Sequence, residues 1–328
     1  MNRISDFITG FVLCALLFAH CFHAQAQQPT TKFPRLGIMV TAERGLELFR
    51  QGLAQLGYIE GKNIEIVYRY AQGNTDRMPK LVAELLEHKV DVLILSNTTA
   101  IRAAQSATKT IPIVMMTNQD PVAIGLIQSL ARPGGNLTGV ASLTRDLSGK
   151  RLEVLKETVP KASRVGVIWV KPTDLGAGNA FENYQAAAHA FKLELTSLQA
   201  HRPRPDLDGL FRVAEKARVN ALVAVTNAVI NQHVKKIADF AIQKRIPFMV
   251  EGSSYVEDGA LISYAANDAD RFLRAALYVD KILKGTKPAD LPVEQAMKFE
   301  FVINLKTAKQ IGLTIPPNVL ARADRVIR

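Results

Sequence analysis

The chain has 328 residues, of which 48% are hydrophobic and 22% charged, with a formal net charge of +11 and only two cysteines. This apolar content is sufficient for a packed core and excludes a disordered or fibrous protein. Two cysteines are too few for a disulfide framework or a cysteine-rich zinc fold, whereas the positive charge leaves nucleic acid, anionic membranes and acidic ligands as possible partners.

The first 26 residues have the composition of a secretory signal peptide. Arg3 supplies a positive start, residues 8–22 are mostly apolar, and Ala24-Gln25-Ala26 has the pattern of a cleavage site. The alternative is a membrane anchor, but the apolar stretch of about 15 residues is shorter than the ~20 that a spanning helix needs. We therefore expect cleavage near Ala26 and export to the periplasm.

Both cysteines, Cys14 and Cys21, lie inside this segment, so the processed chain would have no thiol for catalysis or metal ligation. Neither cysteine follows a small residue, so we expect no lipid attachment. The charge of +11 survives cleavage and is concentrated in residues 271–328, with 11 Lys or Arg and 5 Asp or Glu. In an exported protein this charge favours weak attraction to an anionic membrane over nucleic-acid binding, with a solvated basic face as the alternative.

From Arg35 onward, apolar runs typical of buried strands alternate with segments of helical periodicity. In the first half the sequence predicts strands over residues 35–40, 64–70, 90–95 and 111–116. It predicts helices over about 46–56, 76–88, 99–108 and 122–131. The breaker Pro133-Gly134-Gly135-Asn136 ends this run, and we expect a break between two halves near residues 139–142.

The same alternation then resumes in the second half. The predicted strands cover residues 164–170, 193–198, 220–226, 246–250, 260–264 and 299–303. The predicted helices cover about 146–158, 181–191, 206–217, 232–244 and 270–284. Continuous apolar strands that alternate with helices indicate parallel sheets covered on both faces. The predicted fold class is therefore α/β, with two doubly wound parallel-sheet lobes.

Motifs of common catalytic and nucleotide-binding sites are missing from the sequence. It contains no P-loop, no GxGxxG after the first strand, no HExxH and no GxSxG. The histidines outside the first segment show no metal-ligand spacing; they are His88, His189, His201 and His233. We therefore expect a protein that is not an enzyme and that holds no cofactor or metal.

Polar residues follow the predicted strands, where doubly wound sheets bind ligands. The third strand is followed by Ser96, Asn97, Thr98 and Thr99. They open a helix whose free N–H groups favour a carboxylate, although N-capping alone is the alternative. The fourth strand is followed by Asn118, Gln119 and Asp120. Asp120 either binds a ligand ammonium or caps the next helix.

In the second half, candidate ligand contacts end or follow strands at positions that would face the same cleft. They are Trp169, Thr226, Asn227, Glu251 and Tyr264. Trp169, the only tryptophan, either stacks on a ligand or belongs to the core.

Longer motifs extend through most of the chain. They are GLAQLGYIEGKNI (52–64), VDV (90–92), TIPIV (110–114), DPV (120–122), LARPGGNLTG (130–139), KRLE (150–153), YVDKILKG (278–285), DLPVEQ (290–295) and NLKTAK (304–309). Through them the chain resembles the ABC-transporter substrate-binding proteins that include tryptophan- and tyrosine-binding members, within the type I periplasmic binding protein class.

The resemblance implies that the chain crosses three times between the lobes, near residues 140–144, 264–267 and 292–299. Lobe 1 would then contain residues 34–141 and 267–291, and lobe 2 residues 142–264 and 298–328. The three crossings would together form the hinge.

The resemblance also implies a function. The chain would be the monomeric solute-binding component of an ABC importer, closing its hinge on a small amino acid or aromatic or carboxylate compound and delivering it to an inner-membrane permease. We expect no nucleic-acid partner, because the signal peptide occupies the place of a DNA-binding head. The alternative function is an extracytoplasmic ligand sensor that signals through a partner protein.

In this hypothesis each group of candidate residues has a role. Ser96, Thr98 and Thr99 hold an acid group of the ligand. Asp120 and Glu251 hold an amine. Trp169 or Tyr264 covers an apolar part.

Overall fold

The computed structural model describes residues 33–328 except 41–42, 73, 143–146, 172–179, 203 and 296–297. The predicted signal peptide and both cysteines lie outside the described residues. Within the described ranges, no helix is long and apolar enough to cross a membrane.

Strands and helices alternate through most of the described chain. The strands are β1 (Arg35–Met39), β2 (Glu65–Arg69), β3 (Val92–Leu95), β4 (Ile113–Thr117), β5 (Leu137–Ala141), β6 (Arg164–Val170), β7 (Glu194–Ala200), β8 (Ala221–Ala224), β9 (Phe248–Val250), β10 (Ile262–Ala266), β11 (Glu294–Gln295), β12 (Phe299–Asn304) and β13 (Arg325–Ile327). The α-helices are α1 (Glu43–Gln55), α2 (Met78–Glu87), α3 (Thr98–Ala107), α4 (Ser148–Thr158), α5 (Ala180–Ala188), α6 (Leu207–Lys216), α7 (Val234–Gln243), α8 (Asp268–Leu283), α9 (Leu305–Gln310) and α10 (Pro317–Leu320). The predicted α/β alternation is confirmed, and β6 has the predicted bounds.

The first sheet is parallel and has the strand order β11-β5-β4-β3-β1-β2. Successive residues of a strand point to opposite faces, so each strand contributes to two cores. On one face α1 and α8 pack over Leu36 and Ile38 of β1. On the other face α2 and α3 pack over Leu93 and Leu95 of β3.

The second sheet has the order β13-β12-β10-β9-β8-β6-β7 and is parallel except for one pair. One core lies under α4 and α5 and contains Val167 of β6, and the opposite core lies under α6 and α7 and contains Ile168. The exception is the antiparallel pair β10–β12. Strand β11 ends at the edge where the carboxyl ends of the strands of both sheets meet. The chain therefore enters β12 beside the carboxyl end of β10, and the two strands run in opposite directions.

The predicted helix over residues 122–131 is wrong, because turns occupy this segment. The Asp120 carboxylate accepts hydrogen bonds from the N–H groups of Val122 and Ala123, which fixes a tight turn. Gly125 then adopts a left-handed conformation (φ +70°) that a regular helix does not contain.

The predicted break near residues 139–142 coincides with part of β5, which the sequence did not predict as a strand. Gly139 lies against β4, where a Cβ atom would be 2.1 Å from the carbonyl oxygen of Met115. A glycine inside a strand here marks close backbone approach. Strands β11 and β13 were also missed, since runs of two or three residues carry little periodicity.

The first sheet takes its strands from residues 35–141 and 294–295, and the second takes its strands from residues 164–266 and 299–327. The proposed lobe bounds (34–141 with 267–291, and 142–264 with 298–328) and the three hinge crossings stay a prediction, because sheet membership alone does not define which segments move as rigid bodies.

Candidate functional site

A cavity of about 350 Å³ lies at the carboxyl ends of strands from both sheets. The loops after β1, β3 and β4 form one wall, and the loops after β8, β9 and β10 form the other. The first turns of α8 complete the lining. Its volume is in the range of small-molecule sites in proteins.

The β3–α3 loop contributes hydroxyl groups to this cavity. Asn97 is the N-cap of α3, and its Oδ1 accepts from the N–H of Thr99 at 2.8 Å. Ser96, Asn97 and Thr98 line the cavity, whereas Thr99 lines a smaller adjoining chamber. Asn97 thus makes the cap, while its neighbours Ser96 and Thr98 line the cavity, and the Ser96 hydroxyl donates to the carbonyl oxygen of Met39 at 3.4 Å.

The loop after β4 places two amides in the cavity. Asn118 Oδ1 accepts from Nη1 of Arg271 at 2.9 Å, across 153 positions of the sequence. Gln119 Oε1 is buried and has no hydrogen-bond partner among the described residues. Asp120 is exposed, does not line the cavity and uses its carboxylate for the turn described above. The structure thus shows the capping role that was one of the two alternatives for Asp120, and its role in binding an amine stays a prediction.

Arg271 is the main cavity residue that sequence reasoning missed. It lies in the first turn of α8, where its Nη2 donates to Asp268 at 2.9 Å. Its Nε is buried without a partner in the described part of the structure. The signal that could have found it is the position of α8 directly after β10, since a helix that follows a strand's carboxyl end begins beside the ligand cleft.

The opposite wall contains Thr226, Asn227 and Glu251, as predicted from the sequence. Asn227 Oδ1 accepts from the N–H groups of Val229 and Ile230, so this amide mainly shapes its own loop. The N–H of Thr226 donates to Glu251 Oε2 at 3.3 Å.

Glu251 is not available as a free carboxylate, because it is part of a buried network. Its Oε1 accepts from Nη1 of Arg151 at 2.9 Å and from the hydroxyl of Tyr184 at 2.6 Å. Burial alone would lower the pKa of Arg151, but the charge of Glu251 and the hydrogen bond with Tyr184 raise it above its ordinary value. Burial and the Glu251 charge raise the pKa of Tyr184. Glu251 thus forms an internal ion pair at the edge of the cavity, and its binding of an amine stays a prediction.

Trp169 and Tyr264 are absent from the described lining of the cavity. Trp169 is buried in the second-sheet core, stacks on Phe181 and donates its Nε1–H to Ser197 at 2.8 Å. Tyr264 stacks on Phe299. Trp169 thus belongs to the core, which is one of its two predicted alternatives, and contact of either aromatic residue with a ligand stays a prediction.

Other lining residues bring carboxylates and apolar surface to the cavity. Asp258 and Asp268 bring carboxylates, and Phe272 and Leu48 bring apolar surface. Asn231 Oδ1 is buried without a partner among the described atoms. The cavity thus combines a cation, carboxylates, amides, hydroxyls and an apolar wall, which is a set suited to a small zwitterion. Across the described residues, no group of three or more His, Cys, Asp or Glu could hold a metal ion.

Comparison with known proteins agrees with this architecture. A protein of Vibrio cholerae O1 biovar El Tor, of solved structure, shares 30% identity at a TM-score of 0.80, covering 90% of this chain and 100% of that one. The structure of an ABC domain from Streptococcus pneumoniae in complex with L-Trp shares 24% identity at a TM-score of 0.78, with coverages of 90% and 100%. The predicted type I periplasmic binding protein fold is confirmed.

Sequence comparison identifies the family. The tyrosine-binding protein of Clostridioides difficile (strain R20291) is 27% identical over 274 residues, which are 81% of this chain and 75% of that protein. Residues 41–327 match the family described as ABC transporter substrate binding protein. The resemblance inferred from the sequence motifs is confirmed, and the chain belongs to the ABC transporter substrate-binding protein family.

Proposed function

We propose that this protein is the periplasmic solute-binding component of an ABC importer, and that it captures an amino acid in the cavity between the two sheets and delivers it to an inner-membrane permease. The observation that carries the proposal is the pairing of opposite charges in the cavity. Arg271 keeps a buried Nε–H without a described partner, directly beside the carboxylate of Asp268. An α-amino acid carries a matching carboxylate and ammonium on adjacent atoms.

In this arrangement the ligand carboxylate accepts from Arg271 and from the hydroxyls of Ser96 and Thr98. Hydrogen bonds to charged groups are stronger than neutral ones, and the N-terminus of α3 favours negative charge at this place. The ammonium donates to Asp268, and the ligand side chain lies toward the apolar wall at Phe272.

Closure of the hinge follows from where these groups are attached. Ser96 and Thr98 follow a strand of the first sheet, whereas Thr226 follows a strand of the second. A ligand that contacts both walls only when they are close stabilises the closed state by the free energy of the additional contacts.

The names of similar proteins guide the choice of ligand. The relative from Clostridioides difficile is named for tyrosine, and the structure from Streptococcus pneumoniae contains L-Trp. An aromatic amino acid would place its ring against Phe272 and Leu48 in this cavity. L-tyrosine and L-tryptophan are therefore the first ligands to test, together with aliphatic and acidic amino acids.

The test is titration calorimetry of the processed protein against this panel, with small-angle scattering in the presence and absence of the best ligand. We expect micromolar or tighter binding of at least one amino acid and a smaller radius of gyration in its presence. Thr98→Val and Asp268→Asn should each weaken binding about tenfold or more, since the first removes a hydrogen bond to the ligand carboxylate and the second removes the negative charge that faces the ammonium. Thr110→Val, a substitution at an exposed threonine outside the cavity, is the matched control. Absence of binding across the panel would refute the proposal.

A further inference from the structure

A second chamber of about 90 Å³ adjoins the main cavity. The two spaces share several lining residues, among them Thr98, Gln119 and Thr226. A ligand held in the main cavity can therefore extend a terminal group into the smaller space. The second chamber differs from the main cavity in its charge.

Arg202 is the only charged side chain among the described residues that line the second chamber. It follows β7, and its Nη1 donates to the hydroxyl of Thr75 at 3.4 Å. Its Nε is buried and has no partner among the described atoms. A buried guanidinium N–H without an acceptor is costly, so this donor is expected to have a partner in the functional state.

The remaining polar groups of the chamber also suit an anion. The hydroxyls of Thr98 and Thr99 stand at the N-terminus of α3, where the helix dipole favours negative charge. Gln119 can rotate its amide so that the NH₂ group faces an acceptor. Carboxylates line the main cavity, at Asp258 and Asp268, whereas the described lining of the second chamber has none.

We propose that the second chamber binds a second acidic group of the ligand and that Arg202 determines this specificity. The substrate class is then an amino acid whose side chain ends in a carboxylate, either aliphatic or aromatic. This inference rests on the proposed function, because the main cavity must hold the α-carboxylate and the ammonium of the same molecule.

The position of Arg202 would also couple this acid group to closure. Arg202 is attached to the second sheet through β7, whereas Thr99 is attached to the first through β3. A carboxylate that accepts from Arg202 and from the hydroxyl of Thr99 joins both walls at one point. It therefore adds to the free energy that favours the closed state.

The experiment compares pairs of ligands that differ only in the terminal acid. The pairs are L-glutamate with L-glutamine, and 4-carboxy-L-phenylalanine with 4-carbamoyl-L-phenylalanine, each titrated by calorimetry. We expect the acid of at least one pair to bind about 10–100-fold more tightly than its amide, the range expected for a charge-assisted hydrogen bond. Arg202→Gln should remove this preference and leave the affinity for the amide within about threefold.

Arg204→Gln is the matched control, because it removes the same charge at an exposed position two residues away. It should leave both affinities unchanged. If the amides bind as tightly as the acids and Arg202→Gln changes neither, this inference fails while the proposed function stands. If neither these ligands nor the amino-acid panel bind, both fail. Thermal denaturation of each variant shows whether a loss of affinity comes from a loss of folded protein.

Discussion

Two arginines lie at or beside the same cavity and have opposite surroundings. The side chain of Arg151 is fully buried behind the second-sheet wall, where Glu251 and the carbonyl oxygen of Tyr264 accept its hydrogen bonds at 2.9 Å. Arg271 lies in the cavity lining with 16% of its side chain exposed, and its Nε has no partner among the described residues. The difference indicates that Arg151 holds the wall together and that Arg271 is available to a ligand.

The energetic consequences of the two arrangements differ in kind. A buried ion pair gains little over an apolar pair of the same shape, but removal of one partner leaves an uncompensated charge in a medium of low polarity. A partly exposed arginine that faces a cavity can be hydrated when its partner is missing. Substitution should therefore affect stability at the first arginine and affinity at the second.

The largest effect is expected from Arg151→Met. The variant leaves the Glu251 carboxylate buried without its cation and should lose about 3–5 kcal/mol of unfolding free energy, measured by urea denaturation. The double variant Arg151→Met with Glu251→Leu removes both charges and should be more stable than the single variant. A loss below about 1 kcal/mol in the single variant would show that the buried pair does not hold the wall.

For Arg271→Gln we expect a large effect on ligand affinity and a small effect on stability. Ligand affinity should fall about 10–100-fold, while the unfolding free energy should change by no more than about 1 kcal/mol. Arg271→Lys keeps the charge but loses the planar pair of donors, so its affinity should lie between those of Arg271→Gln and the wild type. Lys281→Gln, on the same helix but outside the cavity, serves as the control. Equal affinities for wild type and Arg271→Gln would exclude Arg271 from the binding site.

The same comparison shows what the sequence could predict. Most strands of both sheets were predictable because their cores are continuous apolar runs, as in Arg164–Val170, whereas β5, β11 and β13 were not. The Ser96–Thr98 loop was predictable because the carboxyl end of a parallel strand is a general ligand position. Arg271 was not, because its hydrogen-bond partner Asn118 is 153 positions away and only the folded chain brings them together. For the same reason the pairing of Glu251 with Arg151, 100 positions away, could not be predicted from the sequence.

A smaller effect is expected at Asp270, whose carboxylate lies between Arg274 and Lys298 on the surface of α8. Burial alone would raise the pKa of Asp270, but the hydrogen bonds and charges of these two cations bring it below its ordinary value. A carboxyl group with a lowered pKa in the folded state stabilises the protein above its unfolded-state pKa of about 3.9, and this contribution is lost as the pH falls through the lower, folded value.

Asp270→Asn should therefore cost about 1 kcal/mol at pH 7, and the difference from wild type should disappear as the pH is lowered below 4. Urea denaturation at pH 7, 5, 4 and 3 measures this. A deficit that stays constant over this range would assign the effect of the substitution to packing and not to charge. The expected loss of unfolding free energy is smaller than that for the buried pair Arg151–Glu251 and larger than that for a fully solvated pair. The reason is that 14% of the Asp270 side chain and 29% of the Arg274 side chain are exposed.

The smallest effect is expected at the pair Lys235–Asp239 on α7, which has the same ionic chemistry but side chains that are 68% and 57% exposed. Water solvates both charges whether or not they meet, and a lysine that precedes its acid by four residues is the less favourable order on a helix. Lys235→Gln should change the unfolding free energy by less than about 0.5 kcal/mol, and added salt should reduce even this difference. A loss comparable to that of Arg151→Met would mean that burial of the charges does not determine how much an ion pair contributes to the unfolding free energy. The proposed division between a structural arginine, Arg151, and a ligand-binding arginine, Arg271, would then need a cause other than burial.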